Sequence, residues 1–260
     1  MIRGMWSAAS GMAAQQTTID VISNNLANVN TTSFKKSRAE FQDLMYQTLN
    51  QGGAETAGGD QIPTGIQVGM GTETLGVQKM FMQGDFEQTK NELDVAIEGN
   101  GFFKVLSNDL ERYTRAGNFK MDSEGNIVTP NGDKLQPEMT VPADTLSVTI
   151  DKYGQVTAFD PTGAGVVLGE IELYGFPNSA GLSSLGHNLY MSTDASGEAI
   201  FATPGSEGMG TILQGFVEKS NVDVVEEMVN MIMAQRAYEM NSKSIQTADA
   251  MLQTANNLKR

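Results

Sequence analysis

Few residues in this 260-residue chain have the types or spacing for chemistry. His187 is the single histidine and there is no cysteine. A zinc site would therefore rest on carboxylates, and a histidine-based triad has one place to start. His187 lies beside a turn in LSSLGHNLYM and is given no role. The run GLSSLG sets two serines between glycines but lacks the spacing of a nucleophile elbow. GSEGMG and GIQVGMG lack the Lys-Ser/Thr ending of a phosphate loop. Asp122, Glu124 and Asn126 in DSEGN offer half of a calcium loop without its distal glutamate, and a hairpin turn explains them more simply. Paired carboxylates for glycoside chemistry are set by folding, not by spacing, so the sequence leaves that class open. No catalytic, cofactor-binding or metal-binding residue is assigned.

Composition narrows the classes further. Formal net charge is −14, against the clustered Lys and Arg that nucleic-acid binding needs. Residues 1–40 carry +2 and residues 218–260 carry −1, which leaves −15 for residues 41–217. The acidic, solvated part is thus the middle, and the nearly neutral ends are free to pack together. The first residues lack a basic start followed by an unbroken apolar core, so no cleaved signal is expected. No run approaches the length of a membrane span, so no membrane insertion is expected.

All seven prolines fall between Pro63 and Pro204. Both ends, free of that helix breaker, show heptad spacing instead. At the N-terminal end Met5, Met12, Ile19 and Leu26 recur every seven residues, with Ala8, Gln15, Ile22 and Val29 three further on. At the C-terminal end Val224, Met231, Tyr238, Ile245 and Leu252 recur likewise, flanked by Ala234, Ala248 and Ala255. Two matching narrow seams suggest one another as partners. Ser220 with Asp223, or Asp223 with Glu226, offers a capping box for the second helix, and Glu226 and Glu227 suit its positive end. Between the ends the period shortens to two. DVAIEGNGFFKVLS, ERYTRAGNFKMDSEGNIVTPNGDKLQ, LSVTIDKYGQVTAFD and GVVLGEIELYGF read as strands divided by DSEGN, PNGD and DKYG turns. The fold class expected is α+β, with paired N- and C-terminal coiled-coil helices and a central, mainly antiparallel β domain. Residues 51–76, rich in Gly and Thr, read as a long extended segment or loop.

Where the first apolar repeat stops, ISNNLANVNTTSFKK is dense in Asn and Thr and uncharged before Lys35. This stretch closely resembles the signature of bacterial flagellar rod and hook proteins, in the places Ala27, Asn28, Thr31, Ser33, Phe34 and Lys35. One place departs: the family usually has Gly where this chain has Ser33, so a positive φ there would be strained. The resemblance continues through DVAIEGNGFF, YTRAGNF, GNIVTPNGD and SNVDVVEEMVNMIMAQRAYEMNSKSIQTADAMLQ, and within the family it favours the distal rod branch.

The resemblance implies an assembly domain of residues 1–30 and 222–260, a hinge and connecting segment over 31–63, and an outer β-rich domain over 64–221. The implied assembly seams are Met5, Ala8, Met12, Ile19, Ile22 and Leu26 on one helix and Val224, Met231, Tyr238, Ile245 and Leu252 on the other. It implies a non-enzymatic subunit of a helical homopolymer that transmits torque, exported without a cleaved signal by the flagellar type III apparatus. Proximal rod and hook proteins would meet its ends, periplasmic and outer-membrane ring proteins would surround it, and no cofactor or nucleic acid is implied. The terminal helices would be disordered before assembly, and residues 51–76 would reach an adjacent subunit. A proximal rod or hook paralogue is the nearest alternative reading. A secreted β-rich adhesin or hydrolase with a helical stalk is the alternative from another class.

Overall fold

A computed structural model describes residues 2–50, 64–206 and 208–257. They divide into two compact units. The first comprises Met1–Ala27, Ser37–Gln78 and Asp223–Arg260, and the second Asn28–Lys36 and Lys79–Val222. Residues 64–78, which the sequence reading grouped with the β-rich part, thus fall in the first unit with the helices.

In the first unit, helix α1 spans Ile2–Ala27 and helix α2 spans Val224–Asn257. Both are free of proline and rich in Ala, Met and Gln, which keep rotamer freedom in a helix. Asp223 caps α2: its Oδ1 accepts the backbone N–H groups of Val225 at 2.8 Å and Glu226 at 3.2 Å. Among the described residues of the unit the helices are joined by four strands, β1 (Ser37–Asp43), β2 (Tyr46–Asn50), β3 (Ile66–Gly69) and β4 (Thr72–Lys79). They form two-stranded ribbons, β1 with β4 and β2 antiparallel with β3. The described part of 51–76 is therefore ribbon, while 51–63 lies outside the described residues. The turn between β3 and β4 sits on α1, where Ser10 Oγ accepts the Thr72 N–H at 3.2 Å. Gly71 stands there with φ 115°, and a β-carbon would run into the Ser10 hydroxyl.

The second unit is mainly β, with a short 3-10 turn at Ser179–Gly181. A seven-stranded antiparallel sheet runs in the order Ser183–Gly186, Leu189–Met191, Leu110–Thr114, Phe103–Ser107, Lys134–Gln136, Ile127–Val128, Lys120–Met121. A three-stranded sheet (Ser147–Ile150, Gln155–Phe159, Gly165–Glu170) follows in chain order. Val95–Glu98 pairs with Thr211–Gln214, and Phe86–Gln88 with Phe216–Glu218. The alternation read from the sequence serves one large core, which includes Val95, Ile97, Phe103, Val105, Phe119, Leu135, Ile171, Leu173 and Ile212. A second cluster gathers Phe102, Tyr113, Tyr174, Leu182 and Tyr190, with edge-to-face contacts such as Phe102 on Phe81 at 5.3 Å. Gly117 is required by a close approach, since a β-carbon there would meet the Val95 carbonyl, whose own N–H donates to the Gly117 oxygen at 2.8 Å. His187 and Asn188, with φ 54° and 61°, form the two-residue turn of a hairpin, as positive φ at both central positions requires.

Candidate functional site

Two arrangements lie on the residues that the sequence singles out, one in each unit. In the first unit the helices run antiparallel. Asn25 Nδ2 reaches Glu227 Oε2 at 3.3 Å, a β-carbon on Gly11 would come 2.9 Å from Asn241 Nδ2, and Met5, Trp6 and Ala9 share an open depression with Ile245. Of the N-terminal seam, Ala8 and Ile22 are buried and Met5, Met12, Ile19 and Leu26 half-buried. On α2, Met231, Ile245 and Leu252 are half-buried, while Val224 and Tyr238 are 38% and 40% exposed. The line of α2 that turns inward is Glu227, Ala234, Asn241 and Ala248, also spaced by seven, with Glu227, Ala234 and Ala248 buried.

Asn25 closes this pair at one end. Its Nδ2 donates to the Ser37 carbonyl at 2.9 Å while its Oδ1 accepts the Ser37 N–H at 2.9 Å, so the start of β1 is bound in both directions. The same Nδ2 faces Glu227, whose place in the first turn of α2 suits a carboxylate. Asn25 does not stand out from its neighbours in sequence and Glu227 stands out with Glu226 only as a first-turn acid, because nothing in an apolar repeat marks which polar residue turns inward.

In the second unit the motif following α1 is locked in place. Thr31 N–H donates to the Asn28 carbonyl at 3.1 Å, and Phe34 N–H to the Thr31 carbonyl at 3.2 Å, which is the non-helical path expected of Asn and Thr. Ser33, Phe34 and Lys35 are buried. Ser33 has φ 55°, the left-handed backbone that glycine adopts freely. Its hydroxyl offsets the cost by donating to the Arg115 carbonyl at 3.0 Å, while its N–H donates to the Glu218 carbonyl at 2.7 Å.

Lys35 then enters a buried ion cluster. Its Nζ lies 2.6 Å from Glu218 Oε1 and donates to the Met82 carbonyl at 2.8 Å. Arg115 Nε donates to the other carboxylate oxygen at 2.8 Å, and its remaining nitrogens donate to the carbonyls of Gly101, Ile97 and Gly99. The Gly84 N–H adds a bond of 2.8 Å to Glu218 Oε1. Side-chain exposure is 0% for Lys35, 4% for Arg115 and 1% for Glu218. Burial pushes the Glu218 carboxyl up, but Arg115 and Lys35 outweigh it and hold the group below the usual range. Burial pulls the Lys35 ammonium down, against the opposing pull of Glu218. Nearby, burial first and then the Glu218 charge push the Tyr190 hydroxyl up to about 12. Such a cluster is held by mutual charge pairing and by the backbone groups around it, since any member left alone would be a buried uncompensated charge.

Asn221 binds the segments around the motif. Its Oδ1 accepts the Lys36 N–H at 2.7 Å, its Nδ2 donates to the carbonyls of Met80 at 2.9 Å and Met82 at 3.0 Å, and its own N–H donates to the Phe34 carbonyl at 3.3 Å. Asn188, in the hairpin turn, donates to the Thr32 carbonyl at 2.9 Å. Lys79 Nζ lies 4.8 Å over the Phe34 ring. Sequence reasoning missed Arg115, Glu218 and Asn221. The one available signal was Lys35, the first of two lysines after an aromatic residue in a stretch without acids, which calls for a distant carboxylate without saying which.

Three family descriptions match this chain: "Flagella basal body rod protein" over residues 5–35, "Flagellar hook protein FlgE/F/G D1 domain" over residues 96–158, and "Flagellar basal body rod FlgEFG protein C-terminal" over residues 213–258. Among similar proteins, the flagellar basal-body rod protein FlgG of Borreliella burgdorferi is 51% identical, with the whole of both chains covered. That of Caulobacter vibrioides is 46% identical over 99% of this chain and all of its own. That of Bacillus subtilis is 40% identical over the whole of both.

Proposed function

The chain belongs to the FlgG family of flagellar basal-body rod proteins, and from that premise we propose that it builds the distal rod as a helical homopolymer. It is a structural subunit of the rod in the flagellar basal body. In this reading it has no catalytic role and transmits torque from motor to hook. Proximal rod and hook proteins meet the polymer at its ends, ring proteins surround it in the periplasm and outer membrane, and the flagellar type III apparatus delivers the chain.

One observation carries the homopolymer. Among the described residues of the first unit, the buried apolar side chains are Ala8, Ala14, Ile22, Ala234 and Ala248, so Ile22 is the single large one. Eighteen of the twenty-eight large apolar side chains exposed among the described residues belong to that same unit. Apolar surface on this scale marks an interaction face, and a heterologous contact that does not close yields a filament. The seams Met5, Ala8, Met12, Ile19, Ile22, Leu26 and Val224, Met231, Tyr238, Ile245, Leu252 are the proposed assembly surfaces. Residues Ala27 to Lys35 are the proposed passage from helix to β-rich unit.

The test compares the full-length chain with one lacking residues 1–30 and 222–260, which keeps Lys35, Arg115, Glu218 and Asn221. Both are concentrated and examined by sedimentation and electron microscopy. Rods from the full-length chain alone are expected. Rods from the shortened chain would remove the helices from the assembly surface.

A further inference from the structure

The two ends of the helix pair in the first unit differ in shape and charge, and the difference is complementary. At one end the opening residues of α2 leave Val225, Met228, Val229, Ile232 and Met233 half or more exposed, with Val225 at 71%. They surround the helix on the sides turned away from Glu227 and Ala234. At the other end Met5, Trp6, Ala9 and Ile245 line an open depression of about 290 Å³, and Trp6, the single tryptophan of the chain, is 69% exposed. From Trp6 an outward stripe of small and polar residues continues along α1 through Ala9, Ala13, Gln16 and Asp20, all exposed and repeating at three and four residues.

Charge follows the same division. The end with large apolar side chains carries Asp20, Asp223 and Glu226 as exposed acids beside the mutually paired Arg38 and Glu40, with Glu227 turned inward, and α2 has no base between residues 224 and 235. The end with the depression carries Arg3 and Lys243, with Asp249 further along α2.

We propose that the Met5–Trp6–Ala9–Ile245 depression of one copy receives the Val225–Met233 face of a second copy. This rests on the homopolymer reading above and gives it a contact. Because knob and hole lie at opposite ends of one helix pair, the two cannot meet within a copy. Ile245 and Val229 are separated by about 25 Å of helix at about 1.5 Å per residue, so neighbours are offset along the helix axis by roughly that distance. Donor and acceptor faces differ, so the contact is heterologous and each bound copy presents a fresh face to the next. Trp6 is its central anchor, as large aromatic side chains at interface centres usually are.

The chain has no cysteine, which makes cross-linking selective. Full-length chains carrying Ala9→Cys alone and Val229→Cys alone are mixed, concentrated and oxidised, with sedimentation followed in parallel. A mixed disulfide between the two variants is expected, and the double variant should give a ladder of covalent oligomers. Sedimenting rods with only like-to-like cross-links, or with none, would overturn this contact and leave the homopolymer standing. If no variant and no unaltered chain sediments at any concentration, the contact and the homopolymer fall together. A second measurement uses Trp6 itself, whose emission should shift to the blue as unaltered chains assemble. Trp6→Ala should weaken assembly about 30-fold, with Trp6→Phe between, as loss of a central anchor predicts. Unchanged assembly in Trp6→Ala would also overturn the proposal.

Discussion

The two units solve opposite packing problems. The β-rich unit buries Phe103, Phe119, Ile97, Leu135 and Leu173 in one continuous core, and also closes an ion cluster in which Glu218 meets both Lys35 and Arg115. Among its described residues the helical unit buries alanines, one isoleucine, Asn25 and Glu227, and leaves most of its methionines and valines exposed. Apolar area removed from water is the main stabilising term, and a chain must offset a conformational entropy cost that grows with every ordered residue. The β-rich unit meets that cost alone. The helical unit has the shape of a folded element and the surface of an unfinished one, so its stability depends on what covers it.

The sharpest way to break this contrast is hydrogen exchange on the free chain. Amides of α1 and α2 are expected to exchange rapidly and those of the strands Val95–Glu98 and Phe103–Ser107 slowly. Strong protection of the isolated helices would show that the helical unit is complete without partners. Next in size is Glu218→Ala, which leaves Lys35 and Arg115 buried without a counter-charge. Urea denaturation should show a loss of about 3–5 kcal/mol in the β-rich unit. A loss under about 1 kcal/mol would mean that water reaches the cluster and that it is not the closed site seen here.

Acid should act through the same carboxylate. The folded-state pKa of Glu218 lies below its unfolded value, so the stability it contributes is complete above the unfolded value of about 4.3. That stability is lost as pH falls through the folded value. Thermal melts of the unaltered chain should therefore fall in midpoint below about pH 4, and Glu218→Gln should flatten that dependence. Smallest is the effect at Ser33. Ser33→Ala keeps the left-handed strain and removes the hydroxyl bond to Arg115, at a cost of about 1–2 kcal/mol. Ser33→Gly loses the same bond but relieves the backbone, so it should be milder than Ser33→Ala in the same assay. The reverse order would mean that the left-handed conformation costs nothing here.

Much of this was legible in the sequence, for reasons particular to each element. The helices announce themselves because proline is absent and Met5, Met12, Ile19 and Leu26 keep a strict period. The strands show in the alternation around Val95–Glu98, and the strain at Ser33 shows in a departure from a known pattern at one position. The inward line of α2 was not legible. Glu227 and Asn241 are polar, and what turns them inward is a partner 202 residues from Glu227 and a glycine facing Asn241. Nor was the counter-ion of Lys35, which a short strand 183 residues away supplies. Local periodicity reports which face of an element is apolar; it carries no address for a polar group's partner.

That separation also sets the order in which the molecule can come into being. Any process that releases the chain N-terminus first, synthesis included, presents Lys35 and Arg115 well before Glu218, and Val95–Glu98 well before its neighbour Thr211–Gln214. Until those late residues arrive, the sheet lacks a member and two cations have no place to be buried. Fragments ending before residue 211 should show no cooperative transition, and fragments ending after residue 222 should recover it. The β-rich unit is therefore fastened by nearly the last piece of itself to appear.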